Sequence, residues 1–175
     1  DATTVIALLT VKEAIAKHPK AAVDAIIAEL KQMVDQRVWS YVQRLASKNG
    51  IPVKAIPSKM FVKEKISAAG VFEKIKARLV AGGHRQSHSE DVQTYAPTAD
   101  ATTIMCVLNV AIQQKRYIRS YDIKGAYLHA VLENDGIIMK LDPTIAEYLA
   151  KIDPRAKDAR HENGSILVRL NKALY

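Results

Sequence analysis

The stretch KMFVKEKISAAGVFEKIKARLVA, residues 59–81, decides the fold. Lys59 to Ile66 and Phe72 to Ala81 read as two strands, with Ser67-Ala68-Ala69-Gly70 as the hairpin connection. Side chains alternate faces along a strand. Lys59, Phe61, Lys63 and Lys65 therefore share one face of the first strand, opposite Met60, Val62 and Ile66. In the second strand Lys74, Lys76 and Arg78 share a face, opposite Ile75, Ala77 and Leu79. Packing the apolar faces inward leaves six cations and one aromatic ring on the outside. Like charges across a strand pair cost stability, and a polyanion lying over them relieves that cost. A solvated face whose lysines discourage edge pairing is the other reading of the same pattern.

The charge distribution agrees with this focus. The 175 residues carry a formal charge of +8, with 49% apolar and 25% charged residues. That is an ordinary globular composition, sufficient for one domain or two small subdomains. From Lys54 to Arg85 eight cations face only two carboxylates, Glu64 and Glu73, so most of the excess lies in about a fifth of the chain. A basic chain permits nucleic acid, anionic membrane or acidic protein as a partner without choosing among them. No apolar run reaches a bilayer span, so no membrane partner is expected. The apolar start DATTVIALLT has no basic flank and does not read as a signal peptide. The lone Cys106 rules out an internal disulfide and a multi-cysteine zinc site.

On either side of the hairpin, helices and strands mix without βαβ regularity, which predicts an α+β fold. Thr10 to His18 reads as a short helix stopped by Pro19, and Ala21 to Gln36 as a longer one with Val23, Ile26, Ile27, Leu30, Met33 and Val34 on one face. Val38 to Val42 looks extended, and a loop with Asn49-Gly50 follows. Gly82 to Pro97 is polar and turn-rich. Ala101 to Lys115 reads as a buried helix, Tyr117 to Ile123 as a strand, and Gly125 to Val131 as one or two helical turns. Gly136 to Lys140 reads as a short strand, Pro143 to Ile152 as a helix, and Ile166 to Leu170 as a strand after an Asn163-Gly164 turn. Trp39 and Phe72 are expected in the core.

The chemistry is concentrated in SYDIKGAYL, residues 120–128. A predicted strand ends in Asp122, and a Gly125-Ala126 step leads to Tyr127. A carboxylate rigidly aimed at a strand end suits a hard cation such as Mg²⁺, the ion that phosphoryl transfer uses. A cap for the short helix that follows is the competing role for Asp122. No second carboxylate source stands out: Glu133, Asp135, Asp142 and Asp153 fall in turn-like contexts and read as solvated. His84 and His88 are four apart, but in a loop and without a third ligand.

Several segments together match a known family. KARLVAGG (76–83) with Gln86 resembles the KARLVA-x-G-x-x-Q signature of copia-type LTR retrotransposon reverse transcriptases. Tyr95-Ala96-Pro97-Thr98 resembles that family's T-F-A-P-V step, and Thr103-Ile104 its T-I-R. YDIKGAYL (121–128) resembles its Q-x-D-V-K-x-A-F-L motif, Ile137-Ile138-Met139 its V-Y-M, and LNKALY (170–175) its L-x-K-A-L-Y. Upstream, Thr10 to Ala14 and Val38-Trp39 resemble its K-E-A and V-W segments, and Pro57-Ser58-Lys59 to Lys65 its strand before the hairpin turn. The matches are collinear over nearly the whole chain. Met60, Met105 and Ala130 stand where the family usually has an aromatic, an Arg and a Gly, and Ser87 to Asp91 lacks its usual glycine.

The resemblance implies an RNA-directed DNA polymerase of the right-hand type, with about 1–100 mainly fingers and about 101–175 the start of the palm. It implies Mg²⁺ (or Mn²⁺) as cofactor, and RNA template, DNA primer and dNTPs as partners. Asp122 falls on the family's catalytic metal ligand, and the Ile123 carbonyl beside it is implied as a further metal contact. Tyr127 falls on the aromatic that selects the sugar. Lys76 and Arg78, with Lys63, Lys65 and Lys74, fall where triphosphate or template is contacted. The family's further catalytic carboxylates lie in a Y-V-D-D box beyond the position of Tyr175. The expectation is therefore that these 175 residues alone do not polymerise. The wider resemblance implies a polyprotein with protease, integrase and RNase H, working in cytoplasmic virus-like particles. A non-catalytic nucleic-acid-binding relic of such an element is the alternative.

Overall fold

The computed structural model describes residues 5–43, 47–48, 51–52, 54–85, 98–132 and 136–174. They fall into two compact units, Asp1–Gln86 with Gly125–Tyr175, and Ser87–Lys124. The chain mixes helix and sheet, as the α+β reading expects.

In the first unit the hairpin is the spine. Strands β1 (Val5–Leu9), β2 (Trp39–Val42), β5 (Ile56–Ile66), β6 (Phe72–Ala81), β7 (Ile138–Leu141) and β8 (Ile166–Leu170) form one sheet in the order β1-β5-β7-β8-β2, with β6 also paired to β5. Two further strands, β3 (Ser47–Lys48) and β4 (Ile51–Pro52), make a separate small ladder where a loop is expected. β5 accepts β1 and β6 antiparallel and meets β7 parallel at Ile56↔Met139 and Pro57↔Lys140. The alternation predicted for the hairpin holds. Met60, Val62, Ile75, Ala77 and Leu79 are buried, while Lys59, Lys63, Lys74, Lys76 and Arg78 are exposed. Glu64 is the exception, an inward-facing carboxylate only 2% exposed. Phe72 is 38% exposed rather than core, because it stands at the hairpin end where the register shifts and stacks on His18 instead.

The helices cover the inner face. α1 (Val11–Lys17) opens with a capping box: Glu13 N–H donates to Thr10 Oγ1, and Thr10 N–H donates to the Glu13 carboxylate. Pro19 both stops α1 and starts α2 (Pro19–Asp35), since a missing N–H costs nothing at a helix start. Ala22, Ile26, Leu30 and Met33 form the buried face of α2, which lies against β6; of the predicted face, Val23, Ile27 and Val34 are only half-buried, and Ala22 is buried instead. Each fully buried Leu or Ile contributes roughly 1.5–3 kcal/mol. Glu29 accepts a hydrogen bond from the Leu79 N–H, which covers part of the free edge of β6; burial pushes its carboxyl up from the ordinary carboxylate range. α2 ends with Val38 N–H donating to Met33 C=O and Arg37 N–H to Val34 C=O, which holds Arg37 in the left-handed region at φ 53°. Helices α4 (Pro143–Ala150) and α5 (Pro154–Asp158) complete this unit, capped by Asp142 and Asp153.

The second unit corrects two expectations. α3 (Ala101–Gln113) forms where a buried helix is predicted, N-capped by Asp100, yet none of its residues is buried. The cap and the apolar periodicity are local and suffice for the helix; burial needs a covering surface. Residues 117–123 are not a strand, and no described residue forms a ladder with them. Arg160 pairing with Ile166, and Val131 with Lys172, are isolated bridges in the first unit. No described helix is long and apolar enough to cross a membrane.

Candidate functional site

The basic hairpin face is built as predicted. Its register sets Lys63 opposite Lys76, Lys65 opposite Lys74, and Phe61 opposite Arg78. Two unit charges about 5.5 Å apart repel by about 0.8 kcal/mol in bulk water, so each lysine pair works against the sheet by up to that amount. The carboxylate nearest in sequence gives no relief, because Glu64 points to the other side. There it accepts hydrogen bonds from Lys17 Nζ at 2.7 Å and pairs with His18 Nε2 at 2.8 Å. These two partners, Lys17 first, hold the Glu64 carboxyl below the usual carboxylate range. His18 in turn stacks on Phe72 with ring centroids 4.2 Å apart. On the outer face Lys59 Nζ sits 5.0 Å from the Phe61 ring centroid.

Tyr127 belongs to the same unit. It lies on a single 3-10 turn, Ala126–His129, which Leu128 anchors in the core while Tyr127 stays 59% exposed. Gly125 starts this turn at φ 64°, in the left-handed region. The backbone conformation calls for glycine; a Cβ there would also approach Gln32 Nε2 to 2.8 Å, at the far end of a flexible side chain.

Asp122 and Ile123 lie in the second unit. Asp122 is exposed, and its side chain makes no hydrogen bond or ion pair among the described residues. It does not cap the Ala126–His129 turn, whose N-cap is Gly125 with no side-chain cap bond. Ile123 is 67% exposed. The structure thus gathers Lys63, Lys65, Lys74, Lys76 and Arg78 on one face, puts Tyr127 on its own turn, and leaves Asp122 and Ile123 in the other unit. No group of three or more His, Cys, Asp or Glu side chains suited to a metal ion occurs among the described residues. His88, Glu133 and Asp135 lie outside the described residues, as does the Tyr95–Pro97 step.

One polar network escaped the sequence reading. Asp153 is 4% exposed rather than solvated. It accepts from Tyr41 Oη at 2.8 Å and from Arg155 Nε and Nη2 at 3.0 and 2.9 Å. The Arg155 guanidinium holds the Asp153 carboxyl below its ordinary range, while burial and the bond to Asp153 push the Tyr41 hydroxyl well up. The network joins α5 to β2 at the wall of a cavity of about 500 Å³ that Arg37 and Trp39 also line. Asp153-Pro154 is a helix-start signal, and it could have been read as a cap.

An α+β arrangement with a basic hairpin face and an exposed Asp122 ahead of a Gly-Ala-aromatic turn suits a protein that handles phosphate-bearing partners. Comparison with known families makes the class explicit. Residues 36–175 match the reverse transcriptase (RNA-dependent DNA polymerase) family, and the chain belongs to it. It is 28% identical over 113 residues to the retrovirus-related Pol polyprotein from transposon RE1 of Arabidopsis thaliana, and 29% identical over 113 residues to that from transposon RE2. Each alignment covers 64% of this chain and 7% of the polyprotein, so the chain spans a small part of these relatives. An uncharacterized mitochondrial protein of Arabidopsis thaliana is 30% identical over 115 residues, covering 60% of this chain and 65% of that protein. No solved structure matches.

Proposed function

We propose that this chain supplies part of the catalytic site of an RNA-directed DNA polymerase, as fingers and the start of a palm. The observation that carries the reading is the exposed Asp122 carboxylate, which makes no hydrogen bond or ion pair among the described residues, in a chain of this family. Asp122 and the Ile123 carbonyl are oxygen donors of the kind Mg²⁺ or Mn²⁺ takes. Such an ion, when bound, activates the primer 3′-hydroxyl and neutralises charge at the dNTP α-phosphate. The chain's own contributions are positional. Tyr127, exposed on a turn fixed by Leu128 and Gly125, meets the sugar of the incoming nucleotide. Lys76 and Arg78, with Lys63, Lys65 and Lys74, hold triphosphate or RNA template through phosphate contacts. The primer and the remaining Pol segments complete the site.

The test is primer extension by a Pol polypeptide that contains this chain. Asp122→Asn is expected to abolish extension, and Tyr127→Val to raise ribonucleotide incorporation. The 175 residues alone are expected to extend nothing, because they contain no Y-V-D-D sequence, in which the family carries its further catalytic carboxylates. Full extension with Asp122→Asn would sink the metal-ligand role and favour a non-catalytic nucleic-acid-binding element.

A further inference from the structure

The basic face does not end at the hairpin. Paired residues in a ladder point to the same side of a sheet. Pro57↔Lys140 in the β5–β7 pair therefore puts Lys140 on the face that carries Lys59 and Lys63. Lys140↔Leu167 and Ile138↔Arg169 carry that face onto β8, and Ser40↔Arg169 onto β2. That face is not open throughout: Ile138 on it is 3% exposed, while Lys140 and Arg169 beside it are exposed. Lys140 and Arg169 are both exposed, and neither side chain makes an ion pair or hydrogen bond among the described residues. The described outer face of β5, β6, β7, β8 and β2 holds Lys59, Lys63, Lys65, Lys74, Lys76, Arg78, Lys140 and Arg169; the carboxylates within these strands are the inward Glu64 and Glu73, which stands at the register shift of the hairpin end.

The dimensions select the partner. From Pro57 to Lys65, β5 advances about 26 Å at roughly 3.3 Å per residue, and β7 and β8 add two strand spacings of about 4.8 Å. At the stacked, duplex-like rise of about 3.4 Å per nucleotide the cations accompany about eight nucleotides, and fewer where a single strand is stretched. The β5 and β6 rows lie one strand spacing apart, about 4.8 Å. That is far short of a B-form major groove about 12 Å wide and below the roughly 6 Å of its minor groove. We propose that one single strand of nucleic acid crosses the sheet from the hairpin onto β7 and β8, with Lys140 and Arg169 as phosphate contacts at its far end. The proposal rests on the nucleic-acid reading above and extends it to residues outside the hairpin.

The test is fluorescence anisotropy of a labelled oligouridylate of about twelve nucleotides with the 175-residue chain, titrated in salt. Each lost phosphate contact on a single strand lowers the slope of log K against log salt by about 0.7. Lys140→Ala with Arg169→Ala is expected to lower it by about 1.4, as Lys63→Ala with Lys76→Ala does. The charge-keeping pair Lys140→Arg with Arg169→Lys is expected to retain the slope, and buried Trp39 fluorescence reports that each variant is folded. An unchanged slope for the Lys140/Arg169 pair beside a reduced one for the Lys63/Lys76 pair overturns this path and leaves the hairpin reading standing. Absence of binding by the unaltered chain at low salt overturns both.

Discussion

Gly125→Ala probes the joint on which Tyr127 depends. Gly125 sits at φ 64°, and a Cβ would come within 2.8 Å of Gln32 Nε2 and 3.5 Å of Leu128 Cδ1. The left-handed conformation costs an L-residue about 1–2 kcal/mol. Alanine recovers about 0.4–1 kcal/mol of this by restricting the unfolded chain. The Gln32 contact is at the end of a flexible side chain, which can swing away at little further cost. The net expectation is a loss of about 1 kcal/mol, or about 2–4 °C in Tm for a chain of this size. Trp39, the single tryptophan, is buried in the same unit, so its fluorescence follows the relevant transition. Gly70→Ala is the matched control: Gly70 has φ 75° in the hairpin turn, and nothing lies within 4 Å of a Cβ there. The two variants should fall together if conformation is the whole cost. A larger loss at Gly125, removed by Gln32→Ala, assigns the excess to the contact. A Gly125→Ala chain as stable as the parent would refute the reasoning and, with it, the claim that this turn fixes Tyr127.

Two further expectations follow from other parts of the first unit. Glu64 has a carboxyl pKa below its ordinary 4.5, held there by Lys17 and His18, so its contribution to stability is present above that value and lost as pH falls through the folded pKa. Urea midpoints of the parent and of Glu64→Gln, compared between about pH 3 and pH 5, should therefore converge as the medium becomes acid, and a gap that widens towards low pH would contradict the ion pairs. Arg37 occupies a left-handed C-terminal position that favours glycine, so Arg37→Gly is expected to stabilise by about 1 kcal/mol and raise Tm by about 2–4 °C. A lower Tm would mean that the Arg37 side chain, beside the helix C-terminus, returns more than its backbone costs.

The parts legible in the sequence are those fixed by local rules. Period-two alternation marks Phe72–Ala81, the Asn163-Gly164 turn signal marks the strand Ile166–Leu170, and the Thr10 and Pro19 signals mark both ends of α1. β1 was not foreseen because VIALL is apolar without alternation, and its pairing to Val62–Ile66 lies far away in sequence. The inward place of Glu64 is hard to read for a similar reason. Alternation points to it, but the partners that make it tolerable are 46 and 47 residues distant. Asp153 likewise depends on Tyr41, 112 residues earlier. The basic face was half legible: the hairpin cations are visible as a pattern, whereas Lys140 and Arg169 join them only through register across β7 and β8.

The same distinction divides the proposed chemistry. Tyr127 and the hairpin cations stand on a sheet and a turn whose buried residues hold them in place, so their positions are properties of this chain. Asp122 differs. A metal ligand must be held to about half an ångström by neighbours that are themselves fixed. Yet α3 buries no residue, Tyr121 is 79% exposed, and 117–123 has no ladder partner among the described residues. At about 25 cal/mol per Å² of apolar area, the stabilisation needed to fix such a segment comes from covering the apolar face of α3, which Ile104, Val107 and Val110 expose. The carboxylate's identity is written in the local motif, but its aim is not. Binding of nucleic acid, carried by the basic sheet, should therefore be separable from the role proposed for Asp122.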